Sequence, residues 1–298
     1  MYIPSGIIPP VPTFINEDYS LDKKGMGAVV DSLISQGVHG LFFLGTGGEF
    51  AHLSMKERKE IAEFAVSFTG GRVPVLIGTG TTSTRATLEL NAHAAEIGAD
   101  AAVVINPYYF NFSDEHLFGH FDTVISQSKI PVVLYNFPGL TGQSIPVSMI
   151  GDLARKHEHL VGIKNTVDNV SNTKAILNET REVEERFSVL AGFDDYILSG
   201  LFLGCKGAIT GTGNIMPERS VALYNHFANE EFKQAMEEQQ VISRLCNIYS
   251  LDTPFVGVIK AAVKSQGLPV TGLTFPPLNP LSSESVDKME VILKACKE

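Results

Sequence analysis

Eight short runs of apolar, largely β-branched residues punctuate the first two-thirds of the chain: Gly6–Val11, Gly40–Leu44, Pro74–Ile77, Ala101–Ile105, Pro131–Tyr135, Leu160–Lys164, Phe187–Ala191 and Gly207–Ile209. Their starts lie 20 to 34 residues apart, room each time for a strand, a loop and a helix. Gly/Pro/Asn/Thr clusters and amphipathic segments fill the intervals. Strands that are apolar throughout and alternate with helical patterns belong to a parallel sheet covered on its faces. Such a sheet either closes into a barrel or stays open and doubly wound. Eight regular units with no break in composition favour a (β/α)8 TIM barrel.

The intervals carry helix signals of their own. Ser54-Met-Lys-Glu57 is a capping box, followed by Ile61, Phe64, Ala65 and Phe68 at helical spacing. Thr87, Leu90, Ala94 and Ile97 repeat the pattern, with Gly98 as the stop. After about residue 217 the strands cease, and Pro217–Ala228, Glu231–Ile248, Pro254–Gln266 and Ser283–Ala295 read as helices. The first serves as the eighth barrel helix. The expected organisation is therefore a barrel over residues 1–228 and a C-terminal helical appendage over 229–298, packed on the barrel because no linker separates them.

Composition narrows the function classes. The net charge of −10, from 33 acids and 23 bases, disfavours nucleic acid or an anionic membrane face as a partner. Only 19% of residues are charged, so much surface is expected to be buried inside a large fold or between subunits. Cys205, Cys246 and Cys296 are odd in number and widely spaced, which fits reduced thiols in the cytoplasm rather than a disulfide scaffold or structural zinc. The first 14 residues hold four prolines and no basic region, unlike a signal peptide. The uncharged stretch Ile130–Gly151 contains Pro131, Pro138, Pro146, Gly139 and Gly142 and cannot be one membrane helix.

In a barrel, chemistry gathers at the C-terminal ends of the strands. Those ends read Gly45-Thr-Gly-Gly-Glu49, Asn106-Pro-Tyr-Tyr109, Tyr135-Asn-Phe-Pro138, Gly162-Ile-Lys164 and Gly192-Phe-Asp-Asp195. Lys164 closes the apolar run Leu-Val-Gly-Ile. A lysine there either turns outward and snorkels to water or keeps its amine near the interior. In the second case burial favours the neutral amine, a nucleophile that forms Schiff bases with carbonyls. Tyr135 ends the neighbouring strand, about 4.8 Å away, and is either a rim packing residue or a proton carrier beside that amine. The Gly45–Glu49 loop is either a tight turn or a cradle of bare amides which, with the Thr46 hydroxyl, suits a carboxylate.

Other motifs are weak. Gly78-Thr-Gly80 lacks the third glycine of a dinucleotide fingerprint, and His116 and His120 have no third ligand, so no metal site is expected. His157 and His159 lie in a polar connection and read as solvated.

Together these strand ends resemble the dihydrodipicolinate synthase / N-acetylneuraminate lyase family, pyruvate-handling class I aldolases and lyases on a (β/α)8 barrel. The resemblance runs from Gly6-Ile-Ile-Pro-Pro-Val-Pro-Thr13 to the C-terminal helices. It implies that Lys164 is the Schiff-base lysine, that Tyr135 moves protons and that Thr46 and Gly47 grip the pyruvate carboxylate. It also implies that Tyr109 reaches into a neighbouring subunit's site to complete a relay through the threonine. Ile209 matches a strand-8 position whose carbonyl lines the pocket. A homotetramer is the family expectation.

Three departures bear on the reaction. Gly47 stands where the family's commonest loop has a second hydroxyl. Leu140 stands where dihydrodipicolinate synthases place an arginine for the carboxylate of aspartate semialdehyde. Met55 and Arg58 stand where some lysine-inhibited synthases carry histidines. The strings Gly45-Thr-Gly-Gly-Glu-Phe50, Tyr135-Asn-Phe-Pro-Gly-Leu-Thr-Gly-Gln143 and Leu251-Asp-Thr-Pro-Phe-Val256 look like the 2-keto-3-deoxy-sugar-acid aldolase branch. In that branch Thr166, Gly192, Asp194 and Asp195 fall at substrate-binding positions. The expected activity is reversible cleavage of a 2-keto-3-deoxy sugar acid to pyruvate and a short aldehyde. It proceeds through an imine on Lys164, with no metal or organic cofactor. The alternatives are a 4-hydroxy-tetrahydrodipicolinate synthase and a non-catalytic sensor of pyruvate or a sugar acid.

Overall fold

The computed structural model describes residues 1–297. β1 (Gly6–Ile7) leads to α1 (Lys23–Ser35), β2 (Leu41–Phe43) to α2 (Met55–Thr69) and β3 (Val75–Gly78) to α3 (Thr84–Glu96). β4 (Ala101–Ile105) leads to α4 (Asp114–Gln127), and β5 (Val132–Asn136) to α5 (Pro138–Thr141) and α6 (Val147–Lys156). β6 (Leu160–Asn165) leads to α7 (Val170–Glu179), β7 (Ser188–Ala191) to α8 (Ile197–Leu203) and β8 (Gly207–Ala208) to α9 (Pro217–Ala228). Three further helices follow: α10 (Phe232–Leu245), α11 (Val256–Ser265) and α12 (Ser283–Lys297).

All paired strands are parallel, in the order β1-β8-β7-β6-β5-β4-β3-β2. The seam between β1 and β2 is closed by the proline-rich segment after Ile7. Val11 donates its amide to the Phe42 carbonyl at 2.8 Å, Phe42 donates to the Pro9 carbonyl at 3.0 Å, and His39 donates to the Ile7 carbonyl at 2.8 Å. The eight strands therefore ring a (β/α)8 barrel. The first run was expected to be extended from Gly6 to Val11, but regular strand covers only Gly6–Ile7. Pro9 and Pro10 have no N–H to give the ladder, so the segment closes the seam mainly through its carbonyls.

Two other expected boundaries move. The helix expected over Glu231–Ile248 ends at Leu245, and a 3-10 segment, Cys246–Leu251, takes up the chain. The helix expected from Pro254 begins at Val256. The capping box at the start of α2 forms as read: the Ser54 amide donates to Glu57 Oε2 at 2.7 Å, and the Glu57 amide to Ser54 Oγ at 3.3 Å.

Alternate strand residues divide between two cores. Val104, Val132, Leu134 and Ile163 pack with Leu117, Phe121, Ile150 and Leu153 of α4 and α6, so they face the outer layer. Val103, Ile105, Val133 and Tyr135 belong to the other cluster and face the barrel interior. A third cluster joins Ile215 and Met216 to Leu245, Val258, Ala262, Met289 and Leu293, the apolar faces of α10–α12. Among the described residues no helix is long and apolar enough to cross a membrane, and all three cysteines are free.

Candidate active site

The register of β5 on β6 sets Tyr135 beside Lys164. Residues paired across parallel strands share a face. Ile163 belongs to the outer layer, so Lys164 shares the interior face with Tyr135. Both are nearly closed to solvent, at 4% exposed for Lys164 and 3% for Tyr135. The Lys164 amine lies 4.1 Å from the centroid of the Tyr135 ring and 5.5 Å from that of Phe42. The Phe42 and Tyr135 rings meet edge to face at 6.4 Å. The lysine stem thus stands in an aromatic slot, with its nitrogen against ring faces.

The Tyr135 hydroxyl reaches the opposite wall and shares a hydrogen bond of 3.1 Å with Thr46 Oγ1. Thr46 sits in a loop bent by two left-handed non-glycine residues, Leu44 at φ 59° and Glu49 at φ 56°. The Gly48 and Glu49 amides turn back onto the Gly45 and Thr46 carbonyls, each at 3.0 Å. Among the described residues the amides of Thr46 and Gly47 donate to no backbone carbonyl. Thr13 Oγ1, in the segment after β1, braces the loop with a 2.7 Å bond to the Gly48 carbonyl. A β-carbon on Gly47 would lie 3.3 Å from the Pro10 carbonyl oxygen, so a side chain there would crowd the strand-1 segment.

A cavity of about 190 Å³ opens beside Thr46 and is walled mainly by Ile105, Tyr108, Leu140, Thr141, Val256 and Leu278. Leu140 is 54% exposed and offers nothing to pair a carboxylate. A larger cleft of about 380 Å³ lies away from these groups, between residues 18–21 and the start of α2. Its acids are already occupied: Asp18 accepts from Ser20, Glu57 from Ser54, and Glu60 pairs with Lys23.

The other expected site residues fall into distinct situations. Thr166 is buried, its hydroxyl has no hydrogen-bond partner among the described residues, and it sits directly over Gly192. A β-carbon on Gly192 would lie 2.0 Å from Thr166 Oγ1, so only glycine leaves that hydroxyl its place. Ile209 is fully buried and donates its amide to the Ala191 carbonyl at 2.9 Å. Asp194 presents no open carboxylate. Oδ1 accepts from the Thr212 amide at 2.9 Å and from the Thr212 hydroxyl, and Oδ2 accepts from Tyr249 at 3.0 Å. Burial pushes the Asp194 carboxyl above its usual range, and those bonds oppose the shift. Asp194 therefore acts as a bracket between the ends of β7 and β8 and the segment after α10. Asp195 is exposed. Tyr109 is 88% exposed, with its ring 5.0 Å from that of Phe110 and a left-handed backbone at φ 82°. It is not packed into its own chain.

The histidines form no metal centre, and no metal-ligating cluster occurs among the described residues. His120 is buried, with Nδ1 2.8 Å from Thr84 Oγ1, and burial pushes its pKa down to about 4. His157 is not solvated as expected: its ring is folded against Asp122 at 2.7 Å, a partner 35 residues away. Arg58 is buried too. It donates to the Gly78 and Gly80 carbonyls at 2.9 and 3.1 Å and lies over the Phe50 ring.

Two features were missed at the level of sequence. An asparagine ladder ties down these strand ends from outside. Asn136 donates to Asn165 at 3.0 Å, Asn165 donates to Asn172 and Thr173, and Asn106 donates to the Gln143 carbonyl at 2.9 Å. The signal was present: β5 and β6 end in asparagine, and Asn106 directly follows β4. The second is a fully buried ion pair between Glu49 and Lys260. Lys260 interrupts an otherwise apolar helix face, Val256 to Val263, and that interruption was its signal.

With this geometry in place, comparison with known proteins gives a consistent answer. The model of the dihydrodipicolinate synthetase family matches residues 3–296. YagE of Escherichia coli K12, provisionally named a 2-dehydro-3-deoxy-D-gluconate aldolase, is 43% identical over 98% of this chain and 97% of its own. YjhH of the same strain, provisionally named a 2-dehydro-3-deoxy-D-pentonate aldolase, is also 43% identical, over 98% of this chain and 97% of its own. The crystal structure of YagE in complex with pyruvate superposes with a TM-score of 0.96, covering 98% of both chains. That of dihydrodipicolinate synthase from Aquifex aeolicus gives 0.93 at 31% identity, again covering 98% of both.

Proposed function

The chain belongs to the dihydrodipicolinate synthetase family of Schiff-base aldolases, and on that premise we propose that it cleaves a 2-keto-3-deoxy sugar acid reversibly to pyruvate and a short aldehyde. The observation that carries this reading is the buried Lys164 amine against the Tyr135 ring, with the Tyr135 hydroxyl 3.1 Å from Thr46. It supports reading Lys164 as the nucleophile and Tyr135, on the adjoining strand, as the proton carrier, with Thr46 after β2 as the hydroxyl relay across the barrel mouth.

The Lys164 amine adds to the C2 carbonyl of the keto acid, and loss of water leaves a protonated imine. Thr46 and the Gly47 amide hold the C1 carboxylate. That local grip is required because the chain's net charge of −10 repels an anion at long range. Tyr135 gives its proton to the departing water and, as phenolate, takes the proton of the C4 hydroxyl; the C3–C4 bond breaks, and its electron pair passes into the imine to give an enamine. The aldehyde leaves. Protonation at C3 and addition of water release pyruvate and restore the amine. Tyr135 can return its proton through Thr46, and we place Tyr109 of an adjoining copy at the far end of that relay. Thr166, with an unpartnered buried hydroxyl, is the group we assign to the substrate's own hydroxyls. The route calls for no metal or organic cofactor. The low charge fraction and the exposed Tyr109 support a homotetramer, and the free cysteines support a reducing compartment.

Pyruvate release from a panel of 2-keto-3-deoxy hexonates and pentonates, set against condensation of pyruvate with aspartate semialdehyde, tests the assignment. The expected result is cleavage of a keto-deoxy acid at a kcat/KM at least about a hundredfold above the semialdehyde reaction, since Leu140 leaves a second carboxylate unpaired. Comparable efficiencies would overturn the substrate class.

A further inference from the structure

Resting on the proposed role of Thr46 and Gly47 as the carboxylate grip, we propose that the buried Glu49–Lys260 ion pair positions that grip, making the C-terminal helices a working part of the substrate site. Glu49 follows Gly47 by two residues and carries one of the loop's left-handed backbones, at φ 56°. Its amide closes the turn onto the Thr46 carbonyl at 3.0 Å. Its carboxylate leaves the barrel. Oε1 pairs with the Lys260 amine, and Oε2 accepts the Phe275 amide at 2.9 Å. Lys260 in turn donates to the Leu273 carbonyl at 2.7 Å. Both charged side chains are 0% exposed.

The C-terminal end of the loop is thus held from two sides. Thr13 ties Gly48 to the segment after β1 at 2.7 Å, and Glu49 itself is tied to α11 and residues 273–275. The same C-terminal stretch supplies Pro254, Val256 and Leu278 to the cavity beside Thr46. A buried ion pair is a poor device for stability alone, because desolvation offsets most of its attraction and apolar packing serves as well. What it supplies is direction. One ammonium, Lys260, and one backbone donor, Phe275, leave Glu49 one orientation, and with it the Thr46–Gly47 turn. Reacting groups are sensitive to such placement: a shift of about 1 Å can cost a hundredfold in rate.

The test separates positioning from folding. Lys260→Met, Glu49→Gln and the double variant are each incubated with pyruvate and borohydride. Two quantities are read: the pyruvate concentration giving half-maximal adduct on Lys164, and the Tm. Each single variant leaves one buried charge unpaired, so Tm falls and half-saturation rises about tenfold, while the adduct formed at saturating pyruvate changes less than about threefold. The double variant removes both charges. Its Tm returns toward that of the native chain while half-saturation stays high. Half-saturation that recovers together with Tm, or never moves, overturns the proposal, as does a double variant that fails to fold. A native chain forming no adduct on Lys164 would overturn the aldolase reading and this inference with it. An adduct with unshifted concentration dependence overturns this inference alone.

Discussion

Lys164 and Lys260 are both lysines withdrawn from water at the same rim of the barrel, and the protein treats them in opposite ways. Lys260, where α11 meets the glycine loop, is matched by a carboxylate and a backbone carbonyl, Glu49 and Leu273. Burial lowers its pKa, and the Glu49 charge pushes it back up. Lys164, at the barrel mouth, has aromatic rings for neighbours, those of Tyr135 and Phe42. A satisfied buried cation is a structural element. One left against ring faces beside a hydroxyl relay keeps its nitrogen available for chemistry. The difference between the two regions is therefore the partner, since burial is common to both.

Substitution sharpens that contrast. Lys164→Ala should lower pyruvate release by at least about a thousandfold while Tm shifts little, because no buried counter-charge is orphaned. Lys260→Met should do the reverse at saturating substrate: turnover persists, and stability to urea falls by about 3–5 kcal/mol because the buried Glu49 charge loses its ammonium, with only the His52 ring 3.6 Å from Oε2. Steady-state kinetics and urea melts on the same two preparations check both. A Lys260 variant as inactive as the Lys164 variant would erase the distinction.

Tyr135→Phe comes next. It keeps the ring that flanks the amine and removes the hydroxyl bonded to Thr46. Cleavage should drop about a hundredfold or more, while some borohydride-trapped adduct still forms, because the lost group moves protons and the nucleophile remains. An equal loss of both would place the role of Tyr135 in packing.

The smallest effect concerns a buried base held by one partner. His120 bonds Thr84 through Nδ1 and, among the described residues, has no hydrogen-bond partner at Nε2. Burial pushes its pKa down to about 4 from the ordinary 6.5. A depressed value means the folded protein prefers the neutral ring. The contribution of His120 to stability is then complete above pH 6.5 and is lost as pH falls from 6.5 toward 4, by up to about 3 kcal/mol. His120→Gln should flatten that part of the urea-midpoint profile. An unchanged slope would show that the ring titrates normally.

The sequence carried the barrel legibly because strand and helix periods differ, and eight alternations leave few architectures. Lys164 and Tyr135 were legible because each ends its own apolar run, so local pattern alone put them at adjoining strand ends. Partners distant in sequence were not legible. Gly192-Phe-Asp-Asp195 looks like an open polar strand end, yet Asp194 is taken by Thr212 and Tyr249, 18 and 55 residues away. Lys260 looks like one more helical lysine until Glu49, on the other side of the fold, is brought against it. The seam between β1 and β2 was also hidden, because prolines that spoil a ladder donor still offer carbonyls.

The central claim is that the amine with no counter-charge, and not its paired counterpart, forms the covalent intermediate. Incubating the native chain with pyruvate and borohydride and mapping the mass gain by peptide sequencing tests it most directly. The account predicts one reduced adduct per chain, on Lys164, absent from Lys164→Ala. An adduct on Lys260 or any other lysine, or none at all, would contradict it.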